Sequence, residues 1–284
     1  MKVYRFFSYN FKIFKKGEKL FSIEHRGLNY GDGVYETLRV YDGRIFAFKE
    51  HMERLKKSLD VVKINFSVNE RKIENEIANL LKLNRVKNCA VRIVITRGNG
   101  LGLPPPKGKP DISIMLVDID KKIEEYQKRG IKAILIENPR LYDFSTRGAK
   151  TINFLPNVLG SIEFEKNGAQ EGIFVTKEGF IAEGTTSNVF FVKDGILKTP
   201  SLEIGILAGI TRKFILDIAR EQKIPFEEGF YKKEELLSAD EVFISSTTRE
   251  IVPVIQIDDK KIGDRRARSL TLSLLSAFKK KVLS

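Results

Sequence analysis

The sequence predicts an α+β protein of two domains. Its 284 residues are enough for one large domain or for two ordinary ones of roughly 100–200 residues. Apolar runs of period two alternate with runs of period three to four. A charged, polar stretch then interrupts them, which sets a small N-terminal α/β domain over residues 1–118, a link over 119–127 and a larger domain over 128–284.

Residues 37–41 and 44–48 flank Asp42 and Gly43, a pair that supplies the positive φ angles of a two-residue turn, and they predict a hairpin. Over residues 50–62, Met52, Leu55, Leu59 and Val62 recur every three or four positions and predict a helix that buries them, with Arg54 off that apolar face. Ile73, Ile77, Leu80 and Leu81 repeat the pattern in a second helix. Residues 90–96 and 112–117 read as buried strands on either side of a Gly/Pro-rich loop, 97–110. In the second domain 131–136 reads as a strand and 157–166 as a helix, ended by Asn167 and Gly168 as a C-cap would end it. Two hairpins follow, with turns at 177–179 and 193–195, then a helix over 210–222 that stops before Pro225, and a strand over 241–245.

Composition excludes several function classes. Hydrophobic residues make up 42% and charged residues 31%, and no run of about 18 apolar residues could span a bilayer, so a soluble protein with no membrane role is expected. The start has no apolar run of signal-peptide length, which points to the cytoplasm. Cys89 is the single cysteine and His25 and His51 the two histidines, so neither a disulfide nor a metal centre is expected. The formal charge of +13 raises nucleic-acid binding. Yet the basic residues are interleaved with Asp and Glu, and the densest groups, Lys279 to Lys281 and Arg265 with Arg266, come with no zinc-finger spacing or RNA-binding aromatic motif; no nucleic-acid partner is expected. No G-x-S-x-G elbow marks a hydrolase. The run from Gly102 to Lys109 misses Walker A spacing and puts Pro110 where magnesium needs Ser or Thr, and Gly31-Asp32-Gly33 lacks the third glycine of a dinucleotide site.

Four segments carry what remains. RGLNYGDGVYE, from Arg26 to Glu36, has glycines that permit close backbone approach just before a strand. HMERL contains Arg54. RGAKTIN contains Lys150 and precedes EGTTSNV, which opens at Glu183. A Schiff base with a carbonyl cofactor needs a lysine, and a protonated pyridine nitrogen needs a carboxylate, but spacing alone neither singles out Lys150 nor pairs it with Glu183. LAGITR, from Leu207, opens a helix whose N-terminus suits a phosphate, and SSTTREIVPV, from Ser245, ends a strand; Thr211 and Thr247 add hydroxyls, though each segment also reads as an ordinary cap or strand end.

In this order and at these separations, RGLNYGDGVYETLRVYDG, HMERL, Lys150 with Asn153, EGTTSNVFFVKDG, LAGITR and SSTTREIVPV resemble the class IV (fold-type IV) aminotransferases over essentially the whole chain. That family includes branched-chain aminotransferases, D-amino-acid aminotransferases and aminodeoxychorismate lyases. The resemblance implies pyridoxal 5'-phosphate (PLP) as cofactor, Lys150 as the Schiff-base lysine, Glu183 as partner of the pyridine nitrogen and Arg54 as a phosphate ligand. It implies that Leu207 packs on the ring and that Gly209, Ile210, Thr211, Ser246 and Thr247 close the phosphate site. Tyr30, Tyr35, Arg39 and Arg92 become candidates to line the substrate site, with Thr248 offering a backbone N–H. The implied fold has a larger C-terminal domain around a barrel-like sheet, in a homodimer whose active sites sit between domains and near the subunit interface. The implied reaction is a ping-pong transamination between an amino acid and a 2-oxo acid, with 2-oxoglutarate and glutamate among the substrates.

The substrate is the least determined feature. GDGVYE and STTREIVPV look closest to the D-amino-acid enzymes, but the loop 97–103 lacks the Arg and His that D-specific members place there and ends more like the branched-chain members. The order is therefore a branched-chain or broad aliphatic aminotransferase, then a D-amino-acid aminotransferase, then the lyase.

Overall fold

The computed structural model describes residues 2–105, 108–137, 148–263 and 269–283. Arg147, which opens RGAKTIN, and Arg265 and Arg266 lie outside them. The chain divides into two compact units, Met1–Asp120 with Ala149–Asn153, and Lys121–Gly148 with Phe154–Ser284.

The first unit contains β1 (Phe6–Tyr9), β2 (Lys12–Lys15), α1 (Arg26–Tyr30), β3 (Gly33–Tyr41), β4 (Arg44–Ile45), α2 (Phe48–Val61), α3 (Glu70–Asn84), β5 (Cys89–Thr96) and β6 (Asp111–Val117). Its strands form one antiparallel sheet in the order β2-β1-β6-β5-β3-β4. Val34, Leu38 and Val40 of β3 meet Met52, Leu55 and Leu59 of α2 and Ile73, Ile77 and Leu80 of α3 in the core, because the inward side of a strand repeats every second residue and that of a helix every three or four. Asp42 and Gly43 turn the β3–β4 hairpin at φ 45° and 83°. Its second arm is shorter than the 44–48 expected: Ala47 takes φ 50° and caps α2, so Phe48 is helical. The buried face of α2 is also wider than its apolar residues suggest, taking in His51, Arg54 and Ser58.

Since β4 covers only Val40 and Tyr41, the first half of β3 keeps a free edge. Residues 149–153 fill it. Val34 pairs with Thr151, Tyr35 N–H donates to Lys150 O at 2.9 Å, and Ile152 N–H donates to Gly33 O at 3.0 Å. Position 33 must be glycine for this approach: a Cβ there would stand 2.6 Å from Ile95 O and 3.0 Å from Ile152 Cδ1.

The second unit contains α4 (Ile123–Arg129), β7 (Ile131–Ile136), α5 (Leu155–Lys166), β8 (Glu171–Val175), β9 (Ile181–Gly184), β10 (Asn188–Lys193), β11 (Ile196–Pro200), α6 (Ile210–Glu221), β12 (Phe226–Gly229), α7 (Lys233–Leu237), β13 (Glu241–Ser246), β14 (Glu250–Ile257), β15 (Lys260–Lys261) and α8 (Ser269–Leu283). Much of the charged stretch 119–127 is thus helix, which buries Ile123 and Gln127. The strands form one mixed sheet in the order β12-β11-β10-β13-β14-β7-β8-β9, with β15 beside β14. Its β9 end also lies against β10 and β11, so the sheet curls back on itself like half a barrel. Ile131, Ile173, Val189, Phe191, Ile244 and Val252 share one core cluster, and Ile136, Phe174, Ala182 and Ile206 another.

Candidate active site

Lys150 belongs to the first unit although its flanks belong to the second. Its carbonyl is held by Tyr35, and its N–H donates to Ser58 Oγ at 3.0 Å. The ammonium lies 4.3 Å from the centre of the Tyr35 ring, and the Arg92 guanidinium also lies 4.3 Å from it. Two of the predicted substrate residues and the predicted lysine are therefore together. Arg39, two pairs along β3, reaches the Tyr41 ring at 5.0 Å, while its Nε and Nη1 are buried with no partner among the described residues. Tyr30, on α1, turns to the loop: its hydroxyl accepts from Gly102 N–H at 3.0 Å and its ring faces Arg26.

Arg54 is buried, not off the helix's inner face, and reaches Glu36 of β3 through a fork, Nε to Oε1 at 2.7 Å and Nη2 to Oε2 at 2.8 Å. His51 Nδ1 meets the same carboxylate at 2.8 Å. Burial by itself would raise the Glu36 pKa, but the Arg54 charge and the hydrogen bonds from Arg54 and His51 outweigh it and hold the carboxyl down to about 2. His51 is held below its usual pKa by burial, against the pull of Glu36, so it is the neutral ring that donates from Nδ1. Sequence reasoning missed Glu36 and His51 as partners. The signal for Glu36 was its phase, since it shares the inward face of β3 with Val34, Leu38 and Val40, and a carboxylate there requires a buried cation.

In the second unit, Glu183 is the last residue but one of β9 and its Oε2 accepts from Leu207 N–H at 3.1 Å. Asn188 at the start of β10 donates from Nδ2 to Leu207 O at 2.9 Å, so both the N–H and the C=O of Leu207 are tied to the strands beside it. Gly209 is the N-cap of α6, and a Cβ at that position would collide with Asn188 Oδ1. Ile210 and Thr211 form the first turn of the helix, where N–H groups lack intrahelical partners. Thr211 is 2% exposed and its hydroxyl has no partner among the described residues. A helix N-terminus with an orphaned, buried hydroxyl fits a bound anion. Ser246 ends β13, and Thr247 and Thr248 lie on the turn to β14; all three are partly buried, and Ser246 Oγ accepts from Arg249 N–H at 3.4 Å. Glu183, Leu207 and the start of α6 are thus brought together.

The sequence pattern of amino-transferase class IV matches residues 33–257. A Methanocaldococcus jannaschii protein provisionally named a branched-chain-amino-acid aminotransferase is 36% identical over 98% of this chain and 96% of its own. The D-alanine aminotransferase of Staphylococcus epidermidis is 36% identical over 96% of this chain and 98% of its own. Among solved structures, the branched-chain aminotransferase of the thermophilic archaeon Thermoproteus uzoniensis, solved with norvaline, superposes with a TM-score of 0.90 at 28% identity, over 99% of this chain and 95% of that one. Another branched-chain amino acid aminotransferase of similar fold has been solved both with pyridoxamine 5'-phosphate and with N-(5'-phosphopyridoxyl)-L-glutamate.

Proposed function

This chain belongs to the class IV aminotransferases, and from that premise we propose that it uses PLP to move an amino group between an aliphatic, branched-chain or broad-range amino acid and a 2-oxo acid such as 2-oxoglutarate. The observation that most supports this reading is Lys150, fixed through its backbone to Tyr35 and Ser58 with its amine over an aromatic ring. The residues present also suit the group. Thr211, the first N–H groups of α6, Ser246 and Thr247 would hold the phosphate, and Leu207 would pack on the ring; for Arg54, whose Nε and Nη2 serve Glu36, a phosphate role is what the family resemblance implies.

Bound PLP supplies an aldehyde for the amino group and a ring that accepts the electrons of the broken Cα–H bond. Lys150 would hold the cofactor through Nζ, and the same amine would serve as the base that takes the proton from the substrate α-carbon and returns it. Glu183, its carboxylate fixed by the Leu207 N–H, would keep the pyridine nitrogen of the bound cofactor protonated. Arg39, whose Nε and Nη1 lack partners among the described residues, and Arg92 favour a substrate with a second carboxylate, as glutamate has. Tyr30, Tyr35 and the Thr248 N–H complete the substrate side.

The loop 97–103 favours the branched-chain reading. Arg97, its one cation, donates to Asp32 at 2.8 Å and to the Lys63 and Val62 carbonyls at 2.7 Å each, so its guanidinium is committed. A D-amino-acid aminotransferase is the second reading, on the strength of the D-alanine relative and of GDGVYE. We place the enzyme in the cytoplasm as a homodimer; among the described residues no helix is long and apolar enough to cross a membrane.

The test is a screen of L-leucine, L-isoleucine, L-valine, D-alanine and aminodeoxychorismate in the half-reaction, followed by cofactor absorbance and by 2-oxoglutarate-dependent turnover. Turnover is expected with the L-aliphatic acids, and borohydride reduction of the resting enzyme is expected to leave the pyridoxyl mass on Lys150. Turnover of D-alanine alone would move the second reading to first place, release of pyruvate from aminodeoxychorismate would make it a lyase, and pyridoxyl on another lysine would end the assignment of Lys150.

A further inference from the structure

Glu171 lies fully buried on β8, and nothing in the reaction as described uses it. Its carboxylate accepts from the N–H groups of Gly172 and Thr185 at 3.0 Å each, from the Thr185 hydroxyl, from Ser187 Oγ at 2.9 Å and from Arg249 Nη1 at 2.9 Å. A carboxylate offers about four lone-pair sites, so this one is saturated, which is the condition on which an ionised carboxyl tolerates burial.

Apart from Gly172, the next residue of β8, the donors come from two turns. Thr185 and Ser187 belong to the turn that follows Glu183, and Gly184 within it has no room for a Cβ beside Ser187 Oγ and Glu171. Arg249 belongs to the β13–β14 turn that runs on from Ser246 and carries Thr247 and Thr248. The junction of that second turn with β14 is strained, for Glu250, the first residue of the strand, sits at φ 60°, a region that residues other than glycine rarely adopt. It is held at a second point by Gln127, 3% exposed, whose Nε2 donates to Arg249 O at 3.1 Å and to Glu250 Oε2 at 3.0 Å. Strained backbone persists only where its surroundings over-determine it, and it concentrates at ligand-binding segments.

We propose that Glu171 is a positioning residue for the cofactor: through Thr185 and Ser187 on one side and Arg249 on the other, it locks the turn after Glu183 to the turn that runs from Ser246 through Thr247 and Thr248. This rests on the reading that these turns bind PLP. With the lock in place the hydroxyl and N–H donors of 246–248 are aimed before the phosphate arrives, and binding does not have to order them. Without it the turn relaxes away from its strained conformation, and that ordering is charged to cofactor affinity. A lock with a purely structural role would lower the stability of the apoprotein and leave affinity untouched.

The test uses full-length Arg249→Met, which removes the guanidinium from a side chain 27% exposed, with Arg249→Lys and Glu171→Gln beside it. For each, apoprotein is titrated with PLP, Tm is measured with and without PLP, and the phosphorus-31 resonance of bound PLP is recorded. Arg249→Met is expected to weaken PLP binding about tenfold, the scale of one lost charge-assisted hydrogen bond, to narrow the Tm difference between loaded and empty protein, and to move the phosphorus resonance, with partial recovery in Arg249→Lys. Glu171→Gln is expected to do the same more strongly; should it fail to fold, Arg249→Met decides. A fall in apoprotein Tm with affinity, Tm difference and resonance all at wild-type values would overturn the proposal. Wild-type protein that takes up no PLP would overturn the cofactor reading itself, and this inference with it.

Discussion

Glu36, Arg54 and His51 show how much one buried charge can ask of its neighbours. Because Glu36 is fully buried with its pKa drawn from 4.5 to about 2, the unfolded chain binds the extra proton first as pH falls. The stability it contributes is therefore complete above pH 4.5 and is lost as pH drops through about 2. Urea midpoints from pH 7 to 2 should show this loss in the wild type and not in Glu36→Gln. Parallel curves would mean that the pair carries none of the acid sensitivity. At neutral pH Glu36→Gln should cost about 3–5 kcal/mol, the usual penalty for leaving a buried charge such as Arg54 without its partner. At this scale the sequence is only partly legible. The phase of Glu36 on β3 signals a partner, but nothing in the run of lysines separates Lys150 from the rest, because its special position comes from pairing with β3, remote in sequence. Glu171 and Gln127 are hidden for the same reason.

Among the elements, α6 joins local sequence most directly to chemistry. Gly209 at its N-cap makes room for Asn188, and Thr211 in its first turn keeps an unpaired buried hydroxyl. A valine fills the same volume without the hydroxyl. Thr211→Val should therefore leave apoprotein stability unchanged or raise it by about 1 kcal/mol, while PLP and inorganic phosphate bind about tenfold more weakly. Thermal melts of the apoprotein and phosphate titration would check both; a destabilised apoprotein with unchanged phosphate affinity would make Thr211 an ordinary packing residue. The hairpin turns were readable because Asp-Gly at 42–43 and 194–195 needs positive φ and takes it, at 45° and 83° and at 52° and 77°. Element ends were less so: Ala47 caps α2 from a left-handed conformation, a tertiary choice that its sequence does not announce. The strand β14 begins at the strained Glu250, so its residues resemble the end of the strand before it more than the start of a new one.

For the whole molecule, the first unit leaves apolar side chains in water. Phe21, Ile23, Leu28, Leu101 and Leu103 are each more than half exposed on two adjoining segments, which the Arg26 N–H to Gly98 O and Gly100 N–H to Glu24 O hydrogen bonds tie together. Such a surface marks an interface, and a second copy of the chain is the partner we expect. Sedimentation should give twice the chain mass at micromolar concentration, and Ile23→Glu with Leu103→Glu should shift it toward the single chain; an unmoved dimer would place the interface elsewhere. The α+β architecture itself was legible, since it follows from periodicities that any core of strands and helices must obey. The return of 149–153 to the first unit was not, and it has a consequence during synthesis. The first 120 residues can emerge and collapse while the leading half of β3 still presents bare N–H and C=O groups, the kind of sheet edge that recruits strands from other chains. The five residues that carry Lys150, the proposed Schiff-base lysine, also seal that edge, so a substitution that loosens them endangers solubility as well as the proposed chemistry.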